Sequence, residues 1–191
     1  MSFTVVGAAV LSAAATVVVG VVGALVRVLF LGYPPPTLPA GATLNAKEQA
    51  FVAACADALF PAGGPIPLSG TEAGVLGYMD AYVRRLPPGS RALIRLLFLF
   101  TEHAPWILGP RRARFTRLSA DDRIRALDAM AKSPVYFLRV AFLSLRTMLS
   151  IGYLANESVA GRIGMVPRKA PFERRASKLP SIPPPARPEV A

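Results

Sequence analysis

The sequence predicts an all-α protein, with an N-terminal transmembrane helix, then an irregular helical bundle, then a disordered basic tail. Three observations carry this. Phe3 to Val26 contains no charged side chain. From Asn45 to Leu154, apolar residues recur at helical spacing between capping residues and prolines, with no alternating strand pattern. After Gly164, prolines and basic residues displace the apolar ones. The resulting units are 1–32 (anchor), 33–44 (Pro-rich linker), 45–164 (helical domain) and 165–191 (tail).

The uncharged N-terminal run, at ~1.5 Å per residue, is long enough to cross a bilayer core of roughly 30 Å. A cleaved signal peptide would need a basic start and a shorter apolar core. Met1 to Thr4 has no Lys or Arg, and the apolar run continues through Val28 to Leu31. Ala8, Ser12, Thr16, Gly20 and Ala24 recur every fourth residue, a stripe of small side chains along which another membrane helix can pack closely. Arg27 is the first basic residue, and none precedes the helix. The positive-inside tendency then places a single-pass protein in the inner (cytoplasmic) membrane, with its domain on the cytoplasmic face.

Tyr33 is expected at the membrane interface, and Pro34, Pro35, Pro36 and Pro39 stiffen the linker into a spacer. Asn45 and Glu48 form a capping box, followed by an apolar face of Phe51, Val52, Cys55, Ala58 and Leu59, ended by Pro61. Ser69 with Glu72 starts a second helix, whose face is Val75, Leu76, Met79, Tyr82 and Val83. A third begins near Ser90; its Leu93 to Phe100 stretch is apolar almost all round, which places it at the centre of the bundle. Pro105 kinks or ends it. Ser119 caps a fourth helix, with Ile124, Leu127 and Met130 inward. Ser133-Pro134 opens a fifth, running to about Leu154. Its Arg139 and Arg146 share a face and argue against a second membrane span, since each would cost several kcal/mol at that depth.

Net charge is +11, which suits nucleic acid or an anionic membrane surface. Paired Cys/His sets, an aromatic-rich strand motif and a basic region with a zipper are all missing from the sequence, so the membrane is favoured over nucleic acid. Anionic lipid is a candidate ligand for the basic tail. The single Cys55 and single His103 form no disulfide, haem-attachment or metal-ligand pattern. A glycine-rich dinucleotide loop, a P-loop and a nucleophile elbow are likewise missing from the sequence. His103, beside Glu102, reads as a histidine at a helix end, with a general acid/base as the rival. Asp121 and Asp122 read as first-turn acids, Asp57 and Asp80 as buried structural acids with Arg84 available to Asp80, and Cys55 as a small hydrophobe. Arg111 to Arg117 is a basic loop, either solvated or in contact with phosphate groups. No catalytic, cofactor-binding or metal residue is expected in this chain.

Leu44 to Glu48, Ala56 to Pro61, Glu72 to Val75 with Tyr78 to Asp80, Phe115 to Leu127, Gly152-Tyr153 and Ile163-Gly164 stand in an order and spacing that together resemble the gluconate 2-dehydrogenase small-subunit family. None of these is catalytic. The resemblance implies an accessory subunit that holds no cofactor and binds a large FAD-dependent dehydrogenase of the glucose–methanol–choline type. The N-terminal anchor departs from the family pattern and implies a tether to lipid. Trp106 and Tyr153 are the expected exposed aromatics at the partner interface. The alternative is an anchored helical module that binds anionic lipid, or another protein, without an enzyme.

Overall fold

The computed structural model describes residues 15–24, 27, 31–109 and 111–165. Among these, every regular element is helical. After an apolar helical stretch Ala15–Ala24 come α1 (Ala46–Leu59), α2 (Val75–Arg85), α3 (Pro88–His103), α4 (Pro105–Leu108), α5 (Ala120–Ala131), α6 (Tyr136–Leu154) and α7 (Glu157–Arg162), with a 3-10 turn at Phe115–Arg117. Two short helices, α4 and α7, add to the five expected. The tail from 166 onward, with Ala8 and Ser12 of the small-residue stripe, lies outside the described residues.

Local chemistry sets most boundaries. Asn45 and Glu48 close the capping box from both sides, at 2.9 Å each way. Ser119 accepts from the Asp122 amide, and Asn156 caps α7 through the amides of Ser158 and Val159. Proline stands at the first turn of both α3 and α4, so Pro105 ends one helix and starts the next. Ser69 and Glu72 also bond reciprocally, but α2 starts only at Val75, because Gly74 at φ +80° turns the chain between them.

The core forms around α1, which packs against α2, α3, α5 and the 3-10 turn. Phe51 touches the rings of Phe98 and Phe115 at 5.5 and 5.7 Å, with Val52, Cys55, Met79, Val83, Leu145 and Leu149 buried beside them. A smaller cluster joins Ala104, Met130, Leu138 and Ala141. Gly70 sits so close to α1 that a Cβ there would meet the Ala56 carbonyl carbon at 2.5 Å. Gly152 likewise faces the Tyr78 ring. Arg123 donates to the carbonyls of Phe115 and Thr116, tying α5 to the 3-10 turn.

Four expectations are corrected. First, α3 is not the central helix: it buries only Phe98, Thr101 and Glu102, while Leu93, Leu96 and Leu99 are exposed. Second, Ile124 points outward at 45% exposure, because it lies about 200° around α5 from the buried Asp122. Third, the linker is not a free spacer. Gln49 accepts the amides of Thr37 and Leu38 and donates to the Leu44 carbonyl, while Asp80 accepts the amides of Thr43 and Leu44. Fourth, Tyr153 is inside the molecule. Its ring stacks on Phe60 at 4.1 Å, and its hydroxyl donates to the Leu68 carbonyl at 2.7 Å.

One described helix, α6, is long and apolar enough to cross a membrane by length and composition. Leu138, Ala141, Leu145, Leu149 and Gly152 form a buried stripe on it, and it packs against α2 and α5. In this fold it is a bundle helix with one face in the core.

Candidate functional site

Where the chain passes from the N-terminal segment into the bundle, four side chains meet. The Leu31 carbonyl accepts from the Arg114 guanidinium at 3.0 Å. That guanidinium also covers the Tyr33 ring at 4.3 Å. The Tyr33 hydroxyl donates to Glu102 at 3.1 Å, and Thr116 donates to Glu102 through its hydroxyl at 2.6 Å and its amide at 3.2 Å. Gly32 adopts φ +79°, and a Cβ there would meet the Arg117 guanidinium at 2.8 Å.

Burial dominates the electrostatics here. It pushes the Glu102 carboxyl above its usual range, against the hydrogen bonds from Thr116 and Tyr33 and the positive charge of Arg114, which favour the anion. Burial, helped by the nearby Glu102, lifts Tyr33 to about 12. The next residue, His103, is held below its usual value by burial and by the charges of Lys47 and Arg114, so its imidazole is neutral. His103 Nε2 is shielded and has no hydrogen-bond partner.

Glu102 also lines a groove of about 310 Å³ between the start of α1 and α3, where Arg95 pairs with Glu48 at 3.3 Å. Beside it a second hollow of about 450 Å³ shares Lys47, Leu96 and Leu99 and extends to Phe100, His103 and Ile107. Both are lined by Leu96 and Leu99, and Leu96 lies on a stripe of α3 that runs from exposed Leu93 to half-buried Phe100 and His103 and is continued by exposed Ile107 on α4.

Helix α6 has a second outward stripe. Tyr136, Val140, Leu143 and Ile151 are spaced to share one face and are exposed, flanked by Arg139 and Arg146. Phe137 touches Phe100 edge-on at 5.0 Å, so this surface meets that of α3 near the start of α6. The stretch Ala15–Ala24 is exposed on every side, Thr16, Gly20 and Ala24 included, with Val17, Val18, Val19, Val21 and Val22 each more than half exposed.

The remaining sequence candidates fall into structural roles. Asp80 binds Arg84, and although burial opposes its charge, these bonds hold its carboxyl below the usual range. Asp57 accepts from the Thr71 amide and hydroxyl at 2.8 Å each. Asp122 is paired with Arg111 and Arg125, each at 3.3 Å. The basic loop is therefore only partly solvated: Arg111 is on Asp122, and Arg114 is 2% exposed. Cys55 is fully buried and pushed up to about 12, a thiol rather than a thiolate. Trp106 is 41% exposed on α4, as a surface aromatic should be. Sequence reasoning missed Glu102 and Arg114 as a pair and Gln49 altogether; the only signal was that polar residues adjoin apolar runs.

The described residues thus define an all-helical bundle with a polar clasp at its N-terminal entry and two apolar outer stripes. Among them no group of three His, Cys, Asp or Glu side chains is placed to hold a metal ion. Comparison with protein-family models, with curated proteins and with solved structures finds no match.

Proposed function

We propose that this chain is a non-catalytic accessory subunit that tethers a FAD-dependent dehydrogenase of the glucose–methanol–choline type to a membrane. In this reading, residues 1–32 form the single span, in the inner membrane with the bundle on the cytoplasmic face. The bundle binds the flavoprotein, which carries the FAD.

The observation that supports it best is the distribution of apolar surface. An Ala/Val/Gly-rich helix exposed on every side suits lipid rather than water. The α6 stripe of Tyr136, Val140, Leu143 and Ile151 presents anchors at the spacing with which a helix docks into an apolar groove. The resemblance of Leu44–Glu48, Ala56–Pro61 and Phe115–Leu127 to the gluconate 2-dehydrogenase small subunits supplies the class of that partner. Those segments are core and capping residues here, so they bear on the scaffold, and the α6 stripe is this chain's own candidate surface.

Purification of the tagged chain in mild detergent from its native cell tests this. A larger polypeptide with bound flavin should co-elute, and Leu143→Asp, at a 59% exposed position, should release it while the helical circular dichroism is unchanged. A chain that elutes without flavin from cells containing the dehydrogenase would refute the reading.

A further inference from the structure

We infer that the outward stripe of α3 and α4 beds into the lipid headgroup layer, so that the bundle lies on the membrane surface instead of standing off it. This rests on reading the N-terminal segment as a membrane span.

The geometry begins at the clasp. Leu31 is held by Arg114, and Tyr33, two residues on, is held by Glu102. Two residues of extended chain reach only about 7 Å. The side chain of Glu102, in the last turn of α3, is therefore bonded to a residue whose backbone lies within about 7 Å of Leu31. The prolines that would have made a spacer are fastened down instead, because Thr37 and Leu38 donate to Gln49.

The surface beside that exit suits a lipid boundary. Leu93 and Leu96 are 67% and 57% exposed, and Ile107 is 86% exposed. A soluble surface seldom places such residues in one line, whereas an interfacial helix requires it. Basic side chains border this surface: Lys47 and Arg95, the latter paired with Glu48, line the groove, and exposed Arg117 stands at the exit. Basic side chains around an apolar stripe match an anionic headgroup layer over acyl chains. Trp106 on α4 is an aromatic of the kind enriched at this depth. The inference moves Trp106 from a protein interface to lipid.

Trp106 is also the only tryptophan in the chain, so it reports its own position. The full chain, reconstituted alone into phosphatidylcholine–phosphatidylglycerol vesicles, is compared in lipids brominated near the headgroup or near the chain end. Headgroup-end bromines should quench Trp106 more strongly, and aqueous acrylamide should quench it less than in detergent-free peptide standards. Ile107→Glu, at a site too exposed to affect folding, should reduce the lipid quenching about two-fold. Alkaline carbonate extraction of the same vesicles separates the two readings. Protein that stays in the pellet while Trp106 is unquenched by brominated lipid overturns this inference and leaves the anchor standing. Protein that extracts into the supernatant overturns both.

Discussion

Helices α1 and α3 look alike in the sequence as apolar helices, and α3 carries the more leucines, yet α1 is the core and α3 the wall. Helix α1 buries seven residues, and α3, two residues longer, buries three. What separates them is polar anchoring. On α1, Glu48 and Gln49 are buried because backbone amides of the incoming chain donate to both of them. Those bonds turn one face inward and leave no choice of orientation. On α3 the only buried ionisable group is Glu102, at the last turn, and of the four leucines upstream of it Leu93, Leu96 and Leu99 face out while only Leu97 packs against the core. Apolar content thus shows that a surface will be covered, while satisfied polar groups decide whether the cover is the protein's own core.

The largest effect should come from removing the residue at the centre of that contrast. Phe51 is 2% exposed and bridges Phe98 and Phe115. Phe51→Ala leaves a hole that three packed helices cannot close, and it should cost about 3–5 kcal/mol in urea unfolding of the detergent-solubilised chain. A loss below about 1 kcal/mol would mean that α1 is not the centre of the core.

A smaller, pH-dependent effect should mark the clasp. Burial raises the folded carboxyl of Glu102 above its ordinary 4.5, so the native state holds a proton there longer than the unfolded chain does. Its contribution to stability is complete below pH 4.5 and is lost as pH rises through the raised value. Asp80 runs the other way: its lowered carboxyl contributes above 3.8, and that contribution is lost as pH falls through the folded value. The two windows do not overlap. Glu102→Gln keeps one acceptor oxygen for the Thr116 and Tyr33 hydroxyls, gives up the one that accepts the Thr116 amide, and should flatten the stability profile on the upper side only. Unfolding curves from about pH 4 to about pH 7 would check it, and equal slopes in both proteins would count against a raised Glu102.

Much of the skeleton was legible because it is local. Asn45 with Glu48, Ser119, Pro61 and Pro105 each act within one turn of the boundary they set, so spacing alone reveals them. The inward face of α2 was legible too, since Val75, Leu76, Met79 and Val83 are its only well-spaced apolar set. The face of α3 was not, because leucines and phenylalanines surround it and periodicity then gives no direction. The clasp was hidden for a different reason. Tyr33 and Glu102 are 69 residues apart, and Tyr153 and Leu68 are 85 apart, and nothing in either segment names the other. Ile124 was misplaced by counting apolar residues where the buried Asp122 sets the orientation.

The smallest effect is the most telling for the contrast between the two helices. Leu93→Gln changes a side chain that is 67% exposed, near the middle of a helix that tolerates glutamine well. If the outer wall of α3 contributes nothing to the core, stability in detergent should change by no more than about 0.5 kcal/mol. Leucine and phenylalanine at the two sites would then differ by almost an order of magnitude in their effect on folding, despite equal hydrophobic character. The same substitution should still weaken attachment of the bundle to anionic vesicles, because there the leucine would leave lipid, not protein. A change in detergent stability comparable to that of Phe51→Ala would show that α3 packs inward after all, and the distinction between core and wall would fail at its simplest point.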